Sequence, residues 1–128
     1  MIPKLLIVED NPVMRDTIHR ILKREFPMLN INEAANGGEA LIQIHHHLPD
    51  LILMDIQMPG ENGLQLTRKL KDLYPQTIII VITNYDLPEY REAAMKSGAD
   101  SFILKSSLKK QLSSIMKSKL AESGFNYQ

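Results

Sequence analysis

The chain has 128 residues, 44% apolar and 23% charged, with no cysteine and with fifteen basic side chains matched by fifteen acidic ones. That length makes one domain with room for a real core. The absent thiols exclude disulfides, a thiolate metal site and a catalytic cysteine, and zero net charge gives no general attraction to nucleic acid or membranes.

Short apolar runs alternate with helical patterns along the whole sequence. Residues 4 to 8 read as a first strand, which ends at the acids Glu9 and Asp10. Asn11-Pro12 then opens a helix, because Asn caps well and Pro fits a first turn whose N–H has no partner anyway. Met14, Ile18, Ile21, Leu22 and Glu25-Phe26 follow at helical spacing, with Arg15, Asp16, Arg20 and Lys23 expected outward, and Pro27 stops the helix. Residues 30 to 34 make a weaker strand, and Asn36-Gly37-Gly38 turns into a helix carrying Ala40, Leu41 and Ile44.

Pro49-Asp50 resets the chain for a fully apolar strand, Leu51 to Met54, ended by Asp55 and followed by a turn, Met58-Pro59-Gly60. Gly63 to Leu73 is the next helix, with Leu66, Leu70 and Leu73 inward. Ile78 to Ile82 is apolar on both faces, as a central parallel strand is, and Thr83 ends it. Leu87-Pro88 starts a short helix that closes at Gly98. A last strand, 101 to 104, ends at Lys105 and leads to a helix with Leu108, Leu112, Ile115, Met116 and Leu120 on one face. Strands and helices in alternation predict a doubly wound α/β domain around a five-stranded parallel sheet with five helices.

The chemistry gathers at strand ends, where such folds bind ligands. Glu9, Asp10 and Asp55 supply hard oxygen ligands suited to Mg²⁺. A carboxylate that attacks phosphorus must stay ionised without being repelled by the phosphoryl oxygens, and a divalent cation neutralises that repulsion. Without metal, carboxylates this crowded repel one another, so at least one pKa is expected to rise, with Lys105 as a partial counter-charge. Once an acyl phosphate forms on Asp55, the nucleophile, Lys105 and the Thr83 hydroxyl can each bind a phosphoryl oxygen.

These residues, in this order, resemble the receiver domain of the bacterial two-component response regulators, from about residue 3 to residue 120. The family pattern is an acidic pair (Glu9, Asp10), a phosphoacceptor with Met-Pro and a later Gly (Asp55, Met58, Pro59, Gly63), a hydroxyl residue (Thr83), Gly-Ala (Gly98-Ala99), a switch aromatic (Phe102) and a lysine (Lys105). The resemblance implies a flavodoxin-like sheet of order 2-1-3-4-5. It also implies phosphoryl transfer to Asp55 from a sensor histidine kinase or phosphotransfer protein, with Mg²⁺ or Mn²⁺ held by Glu9, Asp10, Asp55 and the backbone carbonyl of Gln57. Thr83 would then move toward the phosphate and Phe102 would turn inward, changing the face made by the fourth helix, fifth strand and fifth helix. Homodimers would use that face or the first and fifth helices. The chain would catalyse only its own loading and decay and would not be a turnover enzyme.

Some positions depart from the pattern. Glu9 stands where many receivers carry Asp, and its longer arm still reaches a metal directly or through water. Asn84 follows Thr83 in place of a small residue and, with Tyr85, is expected to screen attacking water and slow phosphate loss. Ser106 after Lys105, in place of the frequent Pro, resembles receivers joined to LuxR-type helix-turn-helix domains. No helix-turn-helix lies within these residues, so DNA reading would need a domain outside them. The alternatives are a stand-alone regulator acting through protein contacts and an aspartyl-nucleophile phosphohydrolase. The second is disfavoured because Gln57, two residues after Asp55, cannot act as a general acid.

His45-His46-His47 cannot converge on one ion, since consecutive helical residues point apart, and they are expected near the negative end of the second helix dipole. Lys109, Lys110, Lys117 and Lys119 read as a solvated helix face. No apolar stretch approaches a bilayer span and Met1-Ile2-Pro3-Lys4 lacks a signal-peptide layout, which points to the cytoplasm. Residues 1–122 are expected to form the receiver, and 123–128 a tail or the start of a linker.

Overall fold

The computed structural model describes residues 2–58 and 61–125, which leaves Pro59 and Gly60 of the expected turn outside the described residues. Five parallel strands form the main sheet: β1 (Lys4–Val8), β2 (Asn30–Ala34), β3 (Leu51–Asp55), β4 (Ile78–Thr83) and β5 (Ser101–Leu104), in the order β2-β1-β3-β4-β5. Five helices connect or follow them: α1 (Pro12–Glu25), α2 (Gly37–His46), α3 (Gly63–Leu73), α4 (Pro88–Lys96) and α5 (Leu108–Glu122). Counted over the main sheet, this is the expected topology. A ladder of two residues on each side, Gln57–Met58 against Glu61–Asn62, follows β3 and had no counterpart in the apolar pattern.

Strand alternation divides the core into two layers. Leu5, Ile7, Leu51, Leu53, Ile80, Ile82 and Ile103 pack against Ile18 and Leu22 of α1 and Leu112 and Met116 of α5. The opposite face, Leu6, Val8, Ile52, Met54, Ile79, Val81 and Phe102, packs against Ala40 and Ile44 of α2, Leu66 and Leu70 of α3, and Ala94 of α4. Every residue of β3 and β4 is buried, as strands covered on both faces must be. At about 1.5–3 kcal/mol for each fully buried large aliphatic side chain, these two strands anchor the fold.

Local signals act as expected. Asn11 Oδ1 accepts from the N–H groups of Val13 and Met14, a cap worth about 1 kcal/mol. Gly98 has φ +99°, so it ends α4 in a conformation that a side chain resists. At the amino end of the sheet Asp100 accepts from Lys71 Nζ and from the Ile79 N–H, which fixes the entry to β5 beside β4.

Two expectations fail. Leu73 is not inward but 58% exposed, because the buried stripe of Leu66 and Leu70 continues through Tyr74, which packs on the core, and leaves Leu73 to one side of it. Arg15 is not outward. Its guanidinium lies between Glu33 of β2 and the carbonyl of Glu9, since a long arm ending in five donors reaches acceptors that an aliphatic periodicity does not register. The exposed positions of Lys109, Lys110 and Lys117 agree with a solvated face, while Lys119 is half-buried and pairs with Glu122. Among the described residues no helix is long and apolar enough to cross a membrane.

Candidate functional site at the carboxyl ends of the strands

Three strand ends bring a buried cation to two buried carboxylates. The ladder between β1 and β2 continues one step past β1, through the Glu9 N–H to Ala34 O at 3.0 Å, so Glu9 is held as firmly as a strand residue. Its side chain is fully buried, and Oε2 accepts from the Asn11 N–H at 3.1 Å. Asp55 is the last residue of β3 rather than the first beyond it, paired in register with Ile82. Its Oδ1 accepts from the Gln57 N–H at 3.0 Å, which turns the chain away and fixes the carboxylate rotamer. From the end of β5, Lys105 Nζ reaches 2.7 Å from Glu9 Oε1 and 3.4 Å from Asp55 Oδ2.

Gly63 makes the turn after Asp55 possible. A Cβ there would stand 2.4 Å from the Asp55 carbonyl oxygen and 2.5 Å from Ile56 Cα. The start of α3 therefore lies directly against the backbone that carries the carboxylate, and only hydrogen fits between them.

One carboxyl group titrates high, as crowding led us to expect, but the first cause is burial. Desolvation pushes the Glu9 pKa from 4.5 to about 7; Lys105 opposes the rise and Asp55 adds to it. Burial also pulls Lys105 down, but the two carboxylates outweigh it and hold the ammonium above its usual value. Lys105 is thus a firmly charged cation between the two carboxylates.

Glu9, Asp10 and Asp55 each place one carboxylate oxygen within 4.8 Å of the others, the spacing of ligands around one ion. Lys105 Nζ is the one side-chain cation paired with the buried Glu9 and Asp55 carboxylates among the described residues, at 2.7 and 3.4 Å. Three carboxylates converging as an all-oxygen set, two of them buried and sharing a single ammonium, fit a hard divalent cation. His45, His46 and His47 lie exposed at the carboxyl end of α2, and Glu9-Asp10-Asp55 is the one such ligand group among the described residues.

Thr83 and Phe102 stand beside this cluster rather than in it. Thr83 is fully buried, and its hydroxyl accepts from the Tyr85 N–H at 3.1 Å. Alternation puts it on the sheet face of Ile79 and Val81, and Val81 is the register partner of Phe102. Phe102, expected to turn inward on phosphorylation, is already inward here, packed in the core with the Arg91 guanidinium 4.9 Å from its ring centroid. Asn84 is exposed, and Tyr85 stacks on Tyr90 with ring centroids 5.0 Å apart, which fixes the loop after β4. Sequence reasoning missed Arg15 and Arg91, whose partners lie on other elements.

A family model described as the response regulator receiver domain matches residues 5–117. The oxygen regulatory protein NreC of Staphylococcus haemolyticus is 38% identical over 110 residues, covering 85% of this chain and 51% of that protein. The chain spans about half the length of the curated relatives it matches. A CheY-like response regulator receiver domain protein from Methanospirillum hungatei JF-1 superposes with a TM-score of 0.88 at 31% identity, covering 97% of this chain and 98% of that one. A LuxR-family two-component response regulator from Aurantimonas sp. gives 0.87 at 27% identity, covering 95% and 87%.

Proposed function

The chain belongs to the response regulator receiver family, and from that premise we propose that it is a phosphorylation-controlled switch whose acceptor is Asp55. The observation that carries this reading is the Lys105 ammonium held between the buried carboxylates of Glu9 and Asp55. Such a site favours an anion that arrives with its own cation. The phosphoryl donor is the phosphohistidine of a sensor kinase or of a phosphotransfer protein. A bond forms between an Asp55 carboxylate oxygen and phosphorus as the phosphorus–nitrogen bond to the donor breaks.

Mg²⁺ or Mn²⁺, held by Glu9, Asp10, Asp55 and the Gln57 carbonyl, would supply the positive charge that lets a carboxylate approach a phosphoryl group. The protein does the rest. Asp55 is aimed by the Gln57 N–H, and Lys105 moves its charge from carboxylate to phosphoryl oxygen. Thr83 leaves the Tyr85 N–H to donate to the phosphate. Two charge-assisted hydrogen bonds at about 1.5–3 kcal/mol each approach the ~5.5 kcal/mol needed to invert a 1:99 equilibrium. Because Thr83 and Phe102 share a sheet face, the movement of one is felt by the other, and through Arg91 by α4. The output is a changed partner preference of the α4-β5-α5 face, which with α1-α5 is the candidate homodimer surface. We assign control of transcription to a DNA-binding domain outside these residues, in keeping with the LuxR-family neighbour; a stand-alone regulator is the second reading, and the switch works in the cytoplasm.

Incubation with acetyl phosphate and Mg²⁺ tests the switch against a hydrolase. A single stoichiometric burst of phosphoryl uptake is expected. Sustained turnover of the phosphodonor, far beyond the decay of the loaded protein, would contradict it.

The high Glu9 pKa sets a pH dependence. Below about pH 7 the metal-free carboxyl carries a proton that a cation must displace. Apparent Mg²⁺ affinity is therefore expected to rise with pH through about 7 and to level off above it. Calorimetric titration in two buffers of different ionisation enthalpy checks this by detecting the released proton; affinity independent of pH would contradict it.

A further inference from the structure

Resting on the reading of Glu9, Asp10 and Asp55 as cation ligands, we infer that Arg15 is a positioning residue: it clamps the Glu9–Asp10 peptide and so aims the Asp10 carboxylate at the cation.

The three ligands are not held alike. Glu9 is fixed by the Asn11 N–H and Lys105, and Asp55 by the Gln57 N–H and Lys105. Asp10 is half-buried, and among the described residues its carboxylate has no hydrogen-bond or ion-pair partner. Its direction is set by its own backbone alone. The peptide that joins it to Glu9 is the lever, because the plane of that peptide orients the bond from Asp10 Cα to Cβ.

That peptide is held by Arg15. Nη1 donates to the Glu9 carbonyl at 2.8 Å, and Nε donates to Glu33 Oε1 at 3.0 Å. A planar guanidinium bonded at one edge cannot swing its other edge freely, so the Glu33 contact fixes where Nη1 points. Glu33 is itself held on both sides. His19 Nδ1 lies 2.5 Å from its Oε2, and the Gln43 side-chain amide of α2 donates to its carbonyl. With the Glu9 N–H on Ala34 of β2, the acidic turn is tied to β2 directly and to α1 through Arg15. Lys could keep the charge at position 15 but not the two-edged grip.

A purely structural staple between α1 and β2 would use the same contacts, so the test separates stability from metal affinity. Mg²⁺ dissociation constants are measured by calorimetric titration for the unsubstituted chain, Arg15→Gln, Arg15→Lys and His19→Gln, with melting midpoints for each. His19→Gln loosens Glu33 without removing the bond to the Glu9 carbonyl. The inference expects both Arg15 variants to weaken Mg²⁺ binding about tenfold, the usual loss when a ligand's supporting group is removed. His19→Gln changes affinity less than twofold, and phosphoryl uptake by Arg15→Lys returns to the unsubstituted rate at saturating Mg²⁺. Unchanged affinity in folded Arg15→Lys, or an equal loss in His19→Gln, overturns the positioning role. Failure of the unsubstituted chain to bind Mg²⁺ overturns the underlying ligand reading instead, and the inference with it.

Discussion

Gly63→Ala is expected to lower stability by about 3 kcal/mol or more and to abolish normal phosphoryl uptake. The new methyl would stand 2.4 Å from the Asp55 carbonyl oxygen and 2.5 Å from Ile56 Cα. Both neighbours are backbone, and Asp55 is locked into the β3–β4 register, so neither yields by a rotamer change. Either α3 lifts from the sheet or the end of β3 bends, and both displace the acceptor carboxylate. Thermal unfolding should show a midpoint lower by about 10 °C. The same substitution at Gly38, where a Cβ meets only the Asn36 side chain at 3.3 Å, should cost far less. Equal midpoints for the Gly63 and Gly38 variants would contradict the argument from close approach.

Lys105→Met should damage stability and chemistry together. It leaves Glu9 and Asp55 buried without their cation, and breaking a buried pair on one side costs about 3–5 kcal/mol. The loss depends on pH with a definite sign. The folded Glu9 carboxyl binds its proton more tightly than the unfolded one, so the metal-free fold already loses stability as pH rises from 4.5 to about 7. Removing Lys105 takes away the group that opposes this rise. The variant should therefore be weakest above pH 7 and recover toward pH 5, where Glu9 is protonated. Denaturant unfolding at the two pH values measures the difference, and a penalty independent of pH would contradict it. Phosphoryl uptake should fall about a hundredfold, the usual effect of removing one charge-stabilising donor.

Much of this fold could be read directly from the chain. The continuous apolar runs of β3 and β4 identify strands covered on both faces, and Asn11-Pro12 and Gly98 mark helix ends through their own local chemistry. The acids and the lysine at strand ends were legible because parallel topology carries strand ends to one place. Other features depend on partners that no local pattern contains. Arg15 looked solvent-facing because helical periodicity sorts side chains by polarity, while its position is decided by Glu33 and the Glu9 carbonyl. Leu73 looked inward because both i+3 and i+4 from Leu70 fit a helical stripe, and the core takes Tyr74 instead. The ladder from 57 to 62 is short and polar, so it carries no strand pattern. A raised pKa in at least one of the acids was expected from crowding, but that it falls on Glu9, and through burial first, emerges only from the folded structure.

The most direct test is intact mass after incubation with Mg²⁺ and acetyl phosphate, on the unsubstituted chain and on Asp55→Asn. One added phosphoryl group on the unsubstituted chain, and none on Asp55→Asn or after chelation of the metal, is the result expected of Asp55 as acceptor. Phosphoryl uptake that persists in the folded Asp55→Asn protein would contradict it.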